Sequence, residues 1–153
     1  MLYLVHHGIA LSPDVDPQRP LSHNGRLLVE QLAATAAERG VRPEVVWHSG
    51  KLRAKQTAEI FWRVCNPLAE LSATRDLQPA DPVDWMCDRL RHEPRDILIA
   101  GHFPHLPRLL SMLCLDATAP EFPAHGMVAL RSDDEGNSWE EVWRVTSPRI
   151  TVE

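Results

Sequence analysis

Three short apolar runs mark the chain, and each gives way to polar residues and then to a helical pattern. Leu2-Tyr3-Leu4-Val5 shows no polar alternation and reads as a strand buried on both faces. Val45-Val46-Trp47 and Ile97-Leu98-Ile99-Ala100 read the same way. Residues 12–20 hold three prolines and two aspartates and are predicted as a loop. Ser22 or Asn24 then caps a helix in which Leu27, Leu28, Gln31, Leu32 and Thr35 recur at helical spacing, until Gly40 stops it. A second helix is predicted over about 52–64, with Ala54, Thr57, Ala58, Phe61 and Trp62 as its buried positions and Pro67 beyond its end. Residues 76–79 read as a strand end and turn, and 81–90 as a short helix with Pro82 in its first turn. Residues 106–115 are predicted helical, with Leu106, Leu109, Leu110 and Leu113 on one face. Segments 127–131 and 139–145 are predicted to pair as a hairpin across the acidic turn 133–137.

Strands that each lead into a helix, with a late hairpin, predict the α/β class: a three-layer α/β/α arrangement with a mainly parallel central sheet and an antiparallel edge. One domain over residues 1–153 is expected. Ligands of such sheets bind beyond the carboxyl ends of the strands. Here the first apolar run ends at His6-His7-Gly8, the second at His48-Ser49 and the third at Gly101-His102, so polar residues converge on one edge. The remaining composition narrows the function. With 44% hydrophobic and 24% charged residues the chain is not disordered, and a net charge of -5 argues against a nucleic-acid partner bound through a whole-surface field. No apolar run suits a signal peptide or a membrane span, so a cytoplasmic location without membrane contact is expected. Cys65, Cys87 and Cys114 are widely spaced and odd in number, which points to reduced structural thiols.

The histidines at the shared edge suit phosphoryl transfer. A neutral imidazole attacks phosphorus and forms a labile N–P bond, splitting one difficult transfer into two easier ones. It must be held in one tautomer through its other nitrogen. It also needs cations and donors around the phosphoryl oxygens. Arg53, in the first turn of the second helix, can present a planar fork to an anion beside that helix's positive end. His102 can add a donor, and Arg19 can fold back from its loop.

These residues carry a family likeness. Leu4-Val5-His6-His7-Gly8 resembles the Arg-His-Gly signature of the histidine phosphatase superfamily, the phosphoglycerate-mutase-like fold. Arg19-Pro20-Leu21-Ser22 with Asn24-Gly25 resembles the segment before that family's first helix. His48-Ser49-Gly50-Lys51-Leu52-Arg53-Ala54-Lys55-Gln56-Thr57-Ala58 resembles its Ser-Pro-x-x-Arg-Ala-x-Gln-Thr-Ala motif. Ala100-Gly101-His102 is similar to its second histidine motif, and Phe103-Pro104-His105 to the continuation in the small SixA-type branch. The resemblance runs from Met1 to about Leu115. It implies that His7 takes the phosphoryl group, with Arg53 and His102 as catalytic partners, and that Arg53, Arg19, His6 and Ser49 are phosphate contacts. It further implies no metal and no cofactor, a phosphohistidine in a protein or a small phosphorylated compound as substrate, and a monomer. SixA-type chains lack the insertion in which larger relatives carry an acid, and an imidazole leaving group needs less help to depart. Asp81 and Asp84 are the nearby acids that remain to be considered as proton donors.

Position 6 departs from the signature, with His for Arg, and Gly50 replaces a proline. A charge-assisted hydrogen bond contributes about 1.5–3 kcal/mol, so its loss slows turnover roughly 10- to 150-fold. A bound phosphate dianion would favour protonated His6, which gives the expectation of weak, acid-favoured activity. The alternative is a weak or inactive module that binds phosphate or a phosphoprotein. His6 can instead turn into the core, Ser49 can serve only as a helix cap, and Arg19 can be solvated. Lys51 and Lys55 are expected in solvent, His105 at the rim, and His23, His48, His92 and His125 as surface or packing residues. A metal site of His6, His7, His102 and His105 is disfavoured, because no carboxylate or thiolate stands beside them and Arg53 repels cations. Substrate choice is expected to lie in loops 12–20 and 120–126.

Overall fold

The computed structural model describes residues 1–115 and 121–147. Residue 120 of the second expected specificity loop therefore lies outside the described residues. The chain alternates strand and helix: β1 (Leu2–His6), α1 (His23–Glu38), β2 (Val45–His48), α2 (Leu52–Cys65), β3 (Glu70–Ala73), α3 (Val83–Arg91), β4 (Ile97–Gly101) and α4 (His105–Leu113). Two strands without a helix follow, β5 (Met127–Arg131) and β6 (Glu140–Val145). All six strands join one sheet in the order β3-β2-β4-β1-β5-β6. β3, β2, β4 and β1 are parallel, while β5 runs against both β1 and β6. This is the α/β/α fold expected from the sequence.

Alternation along the central strands builds the layers. Leu2, Leu4, Val45, Trp47, Ile97 and Ile99 face α3 and α4, where Met86, Leu90, Leu106 and Leu110 meet them. Tyr3, Val5, Val46, Leu98 and Ala100 face α1 and α2, against Val29, Leu32, Ala33, Ala58 and Phe61. Strands buried on both faces lose polar alternation, which is why these runs were readable.

The differences are local. β3, Glu-Leu-Ser-Ala, lies at the sheet edge and is half-exposed, so it lacks the apolar run that marks the other parallel strands. The expected strand end at 76–79 is loop, with Asp76 in the left-handed region at φ 71°. Ser22, rather than Asn24, caps α1 by accepting the Gly25 N–H at 2.9 Å. Leu27 is exposed, and Val29, Ala33 and Ala36 share the buried stripe instead. Trp62 is half-buried, and its indole N–H donates to the Ala69 carbonyl at 2.9 Å. α3 starts at Val83, after Pro82, and α4 spans His105–Leu113.

Two glycines let the end of β1 sit on α1. A Cβ on Gly8 would approach Val29 Cγ2 to 2.5 Å, and one on Gly25 would collide with the Ile9 carbonyl oxygen. Gly25→Ala is therefore expected to cost about 1–3 kcal/mol of stability by overpacking. Urea unfolding at unchanged m value should show the lower midpoint.

Candidate active site

Sheet order makes neighbours of three strand ends. β4 lies between β2 and β1, with His6 opposite Gly101 and His48 opposite Ala100. His7, Ser49 and His102, the residues just beyond, therefore share one edge. The rings of His7 and His102 lie 5.2 Å apart, and those of His6 and His7 4.5 Å apart, between centroids. Ser49 Oγ lies 2.6 Å from His102 Nε2 and accepts the Lys51 N–H at 3.3 Å. Ser49 thus serves both the helix entry and His102. Gln78 Nε2 donates to the Ser49 carbonyl at 2.9 Å and steadies that turn.

One face of α2 ties these ends together. Arg53, Gln56 and Thr57 stand at i, i+3 and i+4 and project on the same side. Thr57 Oγ1 accepts the Gly8 N–H at 3.0 Å and donates to the Arg53 carbonyl at 2.8 Å. Gln56 Oε1 accepts the Leu21 N–H at 2.7 Å, which holds the segment carrying Arg19. Arg19 adopts φ 51°, and its Nε donates to the Leu11 carbonyl at 3.1 Å. Arg53 acts electrostatically on His6, His7 and His102, and Arg19 acts on both Arg53 and His7.

Hydrogen bonds fix the tautomers. His7 Nδ1 lies 2.7 Å from the Gly8 carbonyl oxygen, which can only accept. The Nδ1 position therefore carries the proton and Nε2 keeps its lone pair. Burial lowers the His7 pKa to about 4, aided by Arg53, His125 and Arg19 and opposed by the Gly8 carbonyl. Burial, then His7 and Arg53, lowers His102 to about 3.

His6 is buried beside His7 in a stack of rings. The Phe103 ring is stacked nearly parallel at 3.9 Å, and that of His125 lies 4.6 Å away on a 19° tilt. His6 Nδ1 accepts the His125 peptide N–H at 2.8 Å, so a neutral His6 carries its proton on Nε2. Burial, with His7 and His125, lowers its pKa to about 2. Charging His6 would put a second proton where a donor already points. The expected acid-favoured activity from a charged His6 therefore has no support in this geometry.

His125 was read as a surface or packing residue, yet it belongs to this cluster. Its Nδ1 lies 2.8 Å from the His7 carbonyl oxygen. Its partners are 118 and 119 residues away, on a different strand end, so no local spacing announces it. His105 also differs from expectation. It is fully buried rather than at the rim, and Asp81 together with the Asp76 backbone and carboxylate act on it. His48 is a packing residue whose Nδ1 accepts the Gly50 N–H at 3.0 Å. His23, His92, Lys51 and Lys55 are exposed, as expected. Asp84 is exposed on α3, and Asp81 Oδ2 accepts the Gln78 N–H at 2.9 Å.

Two groups at the site lack partners. Arg53 Nε and His102 Nδ1 are buried with no hydrogen bond. A buried donor without an acceptor is costly, and an oxyanion is one ligand that would satisfy the Arg53 Nε–H. A cation fits less well. One ring nitrogen each from His6, His7 and His125 lies within 4.8 Å of the others, a set different from the one considered on sequence. The guanidiniums of Arg53 and Arg19 act on this set and disfavour a cation.

No family model matches the chain, and no curated protein matches its sequence. Solved structures do match. The protein histidine phosphatase SixA in complex with tungstate is similar with a TM-score of 0.84 at 26% identity, over 95% of this chain and 96% of that one. A protein from Agrobacterium tumefaciens described as a phosphohistidine phosphatase SixA matches at 0.78 and 19%, over 95% and 96%. The ecdysone phosphate phosphatase of Bombix mori, also with tungstate, matches at 0.72 and 12%, over 99% and 95%. The resemblance read from the motifs thus holds in three dimensions: the chain has the histidine-phosphatase fold, and its structural neighbours are SixA phosphohistidine phosphatases and other members of that superfamily. Among the described residues, no helix is long and apolar enough to cross a membrane.

The lowered histidine pKa values set a pH dependence of stability. Unfolded histidines take up protons near pH 6.5, whereas folded His7, His102 and His6 resist to about 4, 3 and 2. The unfolded state then binds more protons below pH 6.5, so stability is full above that value and falls on acidification. The urea midpoint is expected to drop steadily from pH 7 to pH 4.5, and His6→Phe is expected to flatten the slope.

Proposed function

We propose that this chain is a SixA-like phosphatase that removes phosphate from phosphohistidine in a protein, through a phosphoryl intermediate on His7. The observation that carries the reading is the pair of unpartnered buried nitrogens, Arg53 Nε and His102 Nδ1, beside an imidazole whose Nε2 lone pair is free. Two similar structures hold tungstate, a tetrahedral oxyanion like phosphate, which supports an oxyanion in this position here.

The mechanism follows from the tautomers. His7 Nε2 attacks phosphorus while the Gly8 carbonyl holds the Nδ1 proton and favours the charge that develops on the ring. Arg53 and His102 donate to the phosphoryl oxygens, and the N-terminus of α2 adds its partial positive charge. Arg19 completes the cationic side. Neutral His6 contributes its Nε2–H as one uncharged donor. Water then attacks the phosphohistidine and frees His7.

A module that binds phosphate without turnover is the second reading, favoured by the uncharged His6 at a position where the signature has arginine. Phosphate binding and turnover measured on the same protein separate the two.

Phosphate release from a phosphohistidine peptide is expected for the wild type and not for His7→Ala. Equal rates in both would overturn the phosphatase reading. Arg53→Ala is expected to slow kcat/KM roughly 10- to 150-fold, the worth of one charge-assisted hydrogen bond. Neutral His7 is the attacking form and its pKa is about 4, so its protonation should reduce kcat/KM only below about pH 5.

A further inference from the structure

We infer that His125 is the acid–base residue of this site, giving a proton to the leaving group as His7 takes the phosphoryl group and recovering one from the attacking water. The inference rests on the phosphatase reading above and extends it to a residue outside every motif of the sequence.

Position comes first. A ring nitrogen of His125 lies within 4.8 Å of one on His7 and one on His6. Its ring stands 6.0 Å from that of His7 between centroids, inclined by 62°. A phosphorus poised for attack sits about 3–3.5 Å from the nucleophile. The bonds of that phosphorus point outward, and a side chain reaches their atoms over a hydrogen bond of about 3 Å. His125 is close enough to meet them, and it is only half-buried, so part of it is open to solvent.

The ring is also set for proton exchange. A carbonyl accepts only, so the 2.8 Å contact to the His7 carbonyl assigns a proton to His125 Nδ1. Its Nε2 is then the nitrogen that gains and loses a proton. His6 lacks this freedom, because its Nδ1 is held by the His125 peptide N–H.

The backbone conformation serves the same placement. His125 sits in the left-handed region, at φ 55°. Residues other than glycine adopt it at a cost, and such strain persists where surrounding contacts enforce it, often at functional sites. Here the conformation lets one residue direct its peptide N–H to His6 and its ring to His7. The acids considered on sequence are placed less well: Asp84 is exposed on α3, and Asp81 accepts the Gln78 N–H and acts on His105.

The steps balance. In the first, the His7 Nε2 lone pair forms the N–P bond. The bond from phosphorus to the substrate nitrogen or oxygen breaks, its electron pair leaves with that atom, and the Nε2 proton of His125 imidazolium neutralises it. In the second, a water oxygen bonds to phosphorus, the His7 N–P pair returns to His7, and the water proton passes to neutral His125 Nε2.

Leaving-group dependence tests the role. p-Nitrophenolate departs without help, whereas phenolate, with a pKa of about 10, needs a proton. His125→Asn keeps the peptide donor to His6 and suits the left-handed backbone, and its amide can reach the His7 carbonyl. His125→Gly also fits that backbone and removes the ring. Both are expected to lower kcat/KM for phenyl phosphate about 10²–10⁴-fold and for p-nitrophenyl phosphate far less. Equal losses on both esters, or no loss on either, would overturn the role of His125 and leave the phosphatase reading intact. So would wild-type turnover of a phosphohistidine peptide with none on either ester. A wild type inactive on all three substrates would overturn both.

Discussion

The candidate site is organised by positive charge that nothing in the protein neutralises. Arg53 and Arg19 act on a cluster of imidazoles, and no acid forms an ion pair with either arginine among the described residues. Burial is the main force that holds the surrounding histidines neutral, and the permanent charge of the guanidiniums adds to it. The ring pKa values are about 2 for His6, 3 for His102 and 4 for His7. A neutral His7 keeps the Nε2 lone pair that the proposed attack needs. The two arginines keep their charge, and the buried Arg53 Nε has no hydrogen-bond partner, which is what supports the proposed oxyanion.

Such an arrangement repels itself and must be held. Ordinary sheet and helix contacts do this. β4 lies between β2 and β1, so three strand ends cannot separate without breaking the parallel ladders. Thr57 ties Gly8 to α2, and Gln56 ties the Leu21 backbone to the same helix. Gly8 and Gly25 bring β1 close to α1 at the point where His7 emerges. The apolar faces above and below the sheet provide the stability that offsets the crowding at its edge.

Much of this was legible because burial leaves a pattern. Leu2-Tyr3-Leu4-Val5, Val45-Val46-Trp47 and Ile97-Leu98-Ile99-Ala100 lack polar alternation since both faces of their strands are covered. Their polar ends then placed His7, Ser49 and His102 on one edge. β3 escaped because an edge strand needs no apolar run, and Glu-Leu-Ser-Ala is half-exposed. His105 was misplaced because its burial depends on how the start of α4 packs under that edge. His125 escaped for a deeper reason. Its place among the histidines comes from a left-handed turn before β5 and from hydrogen bonds spanning 118 and 119 positions, which no local window contains.

Position 6 joins these threads. A third guanidinium there would strengthen the grip on an anion and add to a field already without counter-charge. Histidine lies flat against Phe103 at 3.9 Å and stays neutral. Its freed Nδ1 accepts the His125 peptide N–H, a bond that an arginine, with no acceptor, cannot make. That bond, with the stacked rings, fixes the turn that carries the His125 side chain to the His7 carbonyl. The substitution in the signature and the histidine outside every motif are therefore one structural unit. In the proposed site, position 6 would lend less charge to a bound phosphate, and in the same contact it anchors a second imidazole beside His7.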